Sequence, residues 1–215
     1  MRPKREACQI ALSRGGIVSK LRGLVLAALL AGALPAGLQA QSAQRLSVQG
    51  SGLFIKLFGD AFEGAEQGYG FEAQVRYTPS AFSFGAGFQY TSHGVEGTDQ
   101  RATLVGGFFE PRYVFSTSSS ALFPYLSGRF YLVRLRSENT DIDIRTTATG
   151  LAANGGGGVL VRLASRVNAD LGATYGYSRF SDFKFENLAT GVTGTSDISN
   201  TGSNIVLRVG FTLGL

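Results

Sequence analysis

Asn204-Ile205-Val206-Leu207-Arg208-Val209-Gly210-Phe211-Thr212-Leu213-Gly214-Leu215 decides the fold. Ile205, Leu207, Val209, Phe211, Leu213 and Leu215 form one apolar set. The alternate set, Asn204, Arg208, Gly210, Thr212 and Gly214, is polar or small, with Val206 the one exception. Strict period 2 over such a stretch is a β-strand with one apolar side. Its length matches a tilted strand crossing a bilayer, which takes about 9–11 residues.

Working upstream, the same alternation returns over 167–178, 151–163, 122–136, 105–115, 82–91 and 69–77, and less cleanly over 46–57. In the last of these, Leu46 and Val48 share one parity and Leu53, Ile55 and Leu57 the other. Gly50-Ser51-Gly52 between them predicts a β-bulge that flips the phase. The connections run long, short, long, short, long, short, long. That pattern predicts an all-β, eight-stranded antiparallel up-and-down transmembrane barrel, with short turns on one side and longer loops on the other. Eight strands enclose an interior just wide enough to be filled by side chains.

The formal charge of +5 does not describe the barrel. Residues 1–40 hold Arg2, Lys4, Arg5, Arg14, Lys20 and Arg22 beside the single acid Glu6. The remaining segment, 41–215, carries equal numbers of basic and acidic residues, which removes the electrostatic case for nucleic acid. Residues 1–40 read as a signal peptide: a basic region, an apolar run over 24–38, and Leu38-Gln39-Ala40 before a cleavage point at Gln41. The apolar run is short of the roughly 20 residues a membrane helix needs. The long basic region suggests translation from Val18 rather than Met1. Cys8 falls in this leader, so no disulfide is expected in 41–215.

Charges within the strands fall on the polar parity: Glu72, Arg76, Glu110, Arg112, Arg129, Arg162, Asp170 and Arg208, with Lys56 a further candidate. In a barrel they point into the lumen and must pair. Arg162 and Asp170 are equidistant from Arg166, and Glu110 and Arg129 nearly so from Ser119-Ser120, which predicts partners across the two hairpins. The same residues suit either a salt-bridged plug or a narrow, Arg-lined pore for small anions. Tyr69, Tyr77, Phe82, Tyr90, Tyr113, Phe115 and Tyr177 at strand ends read as two interfacial girdles. The Gly155–Gly158 run lacks a phosphate loop's spacing and reads as small residues in a tightly curved sheet.

The chain resembles the small OmpA/OmpX-like outer-membrane β-barrels. The resemblance rests on Glu110-Pro111-Arg112-Tyr113, Phe123-Pro124-Tyr125-Leu126, the Gly155–Val161 run and Ala169-Asp170-Leu171-Gly172-Ala173-Thr174-Tyr175, and covers 41–215. The final strand is also similar to the C-terminal sorting signal of such barrels, with Leu215 where an aromatic residue is usual. The expectation is a monomer in a Gram-negative outer membrane and, with Leu215 ending the last strand, no further module after it. Its expected partners are membrane lipid, lipopolysaccharide and the barrel-assembly machinery.

No catalytic, cofactor or metal site is expected. His93 is the single histidine, and a strand would point it and Ser92 to opposite faces, so the two cannot share a proton. It reads as an exposed residue at a loop edge. The long loops 137–149 and 179–200 are candidates for contact with a surface partner. Residues 140–147 alternate again and offer an edge strand for β-augmentation. The role expected is structural and interactive, the alternatives being a narrow channel or a lipid-modifying enzyme. A soluble lipocalin-like barrel is the rival fold, and it would turn Phe84, Phe88, Tyr175 and Phe211 inward.

Overall fold

The computed structural model describes residues 45–98, 100–139, 143–196 and 199–215. The leader expected over 1–40 lies outside these residues. The elements are β1 (Leu46–Phe58), a 3-10 turn (Asp60–Phe62), β2 (Ala65–Tyr77), β3 (Phe82–Val95), β4 (Arg101–Val114), β5 (Leu122–Asn139), β6 (Ile144–Arg162), β7 (Val167–Asn187), β8 (Thr193–Ser196) and β9 (Asn200–Gly214). Neighbours from β1 to β7 pair antiparallel in sequence order, β7 pairs with β9, and β9 pairs with β1. Eight long strands therefore close into a barrel with no free edge. The short β8 stands outside this ring and pairs with Phe183–Glu186 of β7.

The outside is apolar. Phe88, Tyr175, Val209 and Phe211 are 50–61% exposed, and Leu132 and Leu151 more so. The lipocalin-like alternative is thereby excluded, because its core residues face outward. Aromatic rings pack across neighbouring strands, Phe84 against Phe109 at 6.3 Å and Phe82 against Tyr113 at 5.0 Å. Such pairs add stability beyond their buried area.

Three expectations are corrected by the register. No bulge interrupts Gly50-Ser51-Gly52: β1 runs in continuous register against both β2 and β9. Leu53, Ile55 and Leu57 point inward because the lumen itself turns apolar at that level. Lys56 then falls on the outer face, its ammonium 5.5 Å from the Phe58 ring. In the β6–β7 hairpin, Arg162 lies opposite Asn168, and Asp170 opposite Leu160. The turn is centred one residue earlier than the charge spacing implies.

The upper ends also differ. Within the stretch 137–149, residues 137–139 and 144–149 are not loop but the continuation of β5 and β6, paired from Ser137↔Thr146 up to Asn139↔Ile144. The segment over 144–147 pairs on its other edge with Lys184–Asn187 of β7. Over 144–147 both edges of β6 are occupied, so these residues offer no strand for augmentation; residues 140–142 of the expected edge lie outside the described residues. Much of 179–200 is likewise strand, in β7 and β8.

Candidate functional site

Period 2 places alternate side chains of β1, β2, β4, β5, β7 and β9 in the lumen. In its lower half they build one network. Glu110 stands at the centre: Oε2 accepts from Arg76 Nη2 at 2.7 Å and Arg129 Nη2 at 3.0 Å, and Oε1 from Arg112 Nη2 at 3.1 Å and Arg208 Nη2 at 3.3 Å. Arg129 donates two bonds to Glu72, 2.5 and 2.9 Å long. This is the bidentate geometry that makes arginine the residue of choice for buried carboxylates. Asp170 accepts from Arg112 at 3.0 Å, Gln49 at 2.7 Å and the Tyr125 hydroxyl at 2.6 Å.

Four guanidinium groups and three carboxylates are thus packed together, each side chain no more than 4% exposed. Seven of the eight charged positions singled out in the sequence meet here. The Glu110–Arg129 contact spans the β4–β5 hairpin at 3.0 Å. Arg162 is the exception. It lies half-buried at the barrel's lower end over the Phe123 ring, 4.8 Å away, and its expected partner Asp170 is taken by Arg112.

Sequence reasoning missed Tyr125, Gln49, Gln74 and Ser83. Gln74 accepts from Arg76 Nη2, and Ser83 from Arg76 Nη1. Their inward parity was the available signal. Tyr125 also accepts from Arg208 Nη2 at 2.9 Å, and the Arg112 guanidinium stacks 3.8 Å above its ring. Its room comes from Gly158 and Gly172, where a Cβ would stand 2.5 and 2.6 Å from the Tyr125 hydroxyl. This gives one member of the glycine run a specific task. Gly158→Val is expected to destabilise the barrel by about 1–3 kcal/mol, read as the urea midpoint of its gel-shifted folded form. Gly155→Ala, with nothing within 4 Å of the new Cβ, leaves that midpoint unchanged.

The upper lumen holds an apolar cluster, with Gln89, Asn154, Ser178 and Asn204 as polar side chains beside it. Leu53, Ile55, Leu104, Val133, Phe180 and Val206 are buried, and Phe62 from the 3-10 turn folds in on top. Its ring meets Phe180 edge-on at 5.5 Å. A void of about 20 Å³ remains, near the size of a single water site. His93 is buried rather than exposed. Its Nδ1 donates to the Glu66 carbonyl at 3.2 Å, and its Nε2 lies 3.0 Å from Thr91 Oγ1. Ser92 faces outward, toward Arg101.

Above the barrel, Glu138 joins Arg136 and Arg145, and Arg145 reaches Glu186 at 3.0 Å. The Arg136 hydrogen bond, with that of Arg145, holds the Glu138 carboxyl below the usual carboxylate range.

No family model and no curated protein matches the chain in sequence. Solved structures do. Neisserial surface protein A aligns with a TM-score of 0.51 at 18% identity, over 84% of this chain and 100% of that one. The outer membrane protein OprG from Pseudomonas aeruginosa aligns with a TM-score of 0.52 at 10% identity, over 82% and 98%. A major outer membrane protein from Thermus thermophilus gives 0.51 at 11%, over 78% and 98%. The chain has the outer-membrane β-barrel fold. Its closed strand pairing and its apolar, aromatic-bearing exterior suit that membrane.

Proposed function

We propose that this outer-membrane barrel is a sealed, non-catalytic structural protein that acts through its external extensions. The observation that carries the reading is the plug. Glu110 draws four arginines across the lower lumen, and Phe62 closes the upper one. A path for ions needs a continuous wet route, and bidentate Arg–carboxylate pairs form a rigid barrier. Catalysis lacks a proton relay, since His93 is committed to Thr91 and the Glu66 backbone inside the barrel.

Planar-bilayer recording of the refolded chain tests it, with heat-dependent gel mobility as the check of folding. The expected record is silent. Discrete, reproducible steps that change in Arg129→Ala would overturn the sealed reading in favour of a narrow channel.

A further inference from the structure

The outer face changes character at one level. On β5 the outward positions run Leu126, Phe130 and Leu132, then Arg134 and Arg136. On β6, Leu151 gives way upward to Thr149, Thr147 and Arg145. On β7, Tyr177 is followed by Arg179 and, past the left-handed Asp182, by Lys184. Arg101 opens β4 on the same side. Arg101, Arg134, Arg136, Arg145 and Lys184 line one concave surface here against two acids, Glu138 and Glu186, while Arg179, Asp143 and Asp182 are exposed on the same extension. Glu138 and Glu186 are engaged by Arg136 and Arg145. Arg101 donates to the Ser92 hydroxyl and Arg179 to that of Ser199.

The rest of the rim has the opposite sign. Asp60, Glu63, Glu66 and Glu96 are exposed above β1–β3, beside Lys56. The positive arc is also concave, an open surface of about 1030 Å³ with Tyr90 and Val105 among its lining and Arg134, Arg145 and Lys184 within it. Arg134 is two residues, about 7 Å, above the lipid-facing Leu132. A ligand here meets cations and the top of the apolar belt together, so it is an amphiphile with an anionic head. Arginine forks favour phosphate, and basic side chains just outside the hydrocarbon are drawn to anionic headgroups.

We propose that this arc binds the phosphate groups of an acylated, phosphorylated glycolipid of the outer leaflet, with its acyl chains along Leu132 and Leu151. The proposal rests on the membrane-spanning reading above, with the β5–β8 extension outward.

The test uses the full chain, expressed in a Gram-negative host, extracted in mild detergent and checked by heat-dependent mobility. Binding to bisphosphorylated lipid A in mixed micelles is compared with binding to its dephosphorylated form. Wild type is expected to prefer the phosphorylated lipid, and Arg134→Gln with Lys184→Gln to weaken its binding about thirtyfold. Lys56→Gln, on the far side, leaves it unchanged. Equal binding of both lipids, unchanged binding by the double variant, or displacement by inorganic phosphate or heparin at comparable concentration would overturn the proposal. A chain recovered from the soluble fraction would overturn the membrane reading and the proposal together. That result is distinct from a folded membrane barrel indifferent to phosphate.

Discussion

Glu110→Gln should cost the barrel about 3–5 kcal/mol, the loss expected when one member of a buried ionic cluster is removed and the others stay. Glu110 is fully buried and is touched by Arg76, Arg112, Arg129 and Arg208. Its loss leaves four guanidinium groups facing Glu72 and Asp170 alone. The change is isosteric, so the effect reports charge rather than volume. The measurement is the urea midpoint in lipid vesicles, followed by gel mobility. Combining Glu110→Gln with Arg129→Met should lose less than the sum of the two, since they share a contact at 3.0 Å. A loss below about 1 kcal/mol would mean the cluster is wet enough to act like a surface ion pair.

The second large effect belongs to the outer surface. Val209 is 60% exposed in the middle of β9 and touches no solvent if the barrel is in a bilayer. Val209→Arg should destabilise the vesicle-embedded barrel by about 2–4 kcal/mol, the cost of a cation near the bilayer midplane. The same change on a water-exposed strand stays within about 0.5 kcal/mol. The shift in urea midpoint therefore reports which medium surrounds the strand.

The strands are legible in the sequence because the bilayer forces a clean apolar parity on one face. Where that pressure is absent, the reading fails. Leu53, Ile55 and Leu57 look like a phase flip only if an inward face is polar throughout. In fact they pack with Phe62 and Phe180 in an apolar cluster inside the upper lumen. Residues 137–139 and 144–149 read as loop because they are mostly polar, and strands beyond the membrane need no apolar face to mark them. Arg162 and Asp170 look paired because a turn's centre is not encoded in charge spacing. A one-residue displacement gives Asp170 to Arg112 and Tyr125 instead. His93 carries no signal of burial, because one polar residue on an inward parity reads alike at a loop edge or under one. Glu110 with Arg129 is readable since their hairpin is short and nearly symmetric, which leaves little freedom in register.

The lumen network draws Gln49, Glu72, Glu110, Arg129, Asp170 and Arg208 from six strands that lie far apart along the chain. No adjacent pair of strands completes it: Glu72 on β2 takes its paired bonds from Arg129 on β5, and Asp170 on β7 is held by Arg112 on β4 and Gln49 on β1. A partly assembled sheet can pair Glu110 with Arg112 and Arg129 but leaves Asp170 and Arg208 without most of their partners, and hydrocarbon admits such charges poorly. The charges must stay hydrated until β9 brings Arg208 between β1 and β7. Joining the last seam is therefore the step that completes the plug, so an unfinished circle carries a cost that the closed one does not.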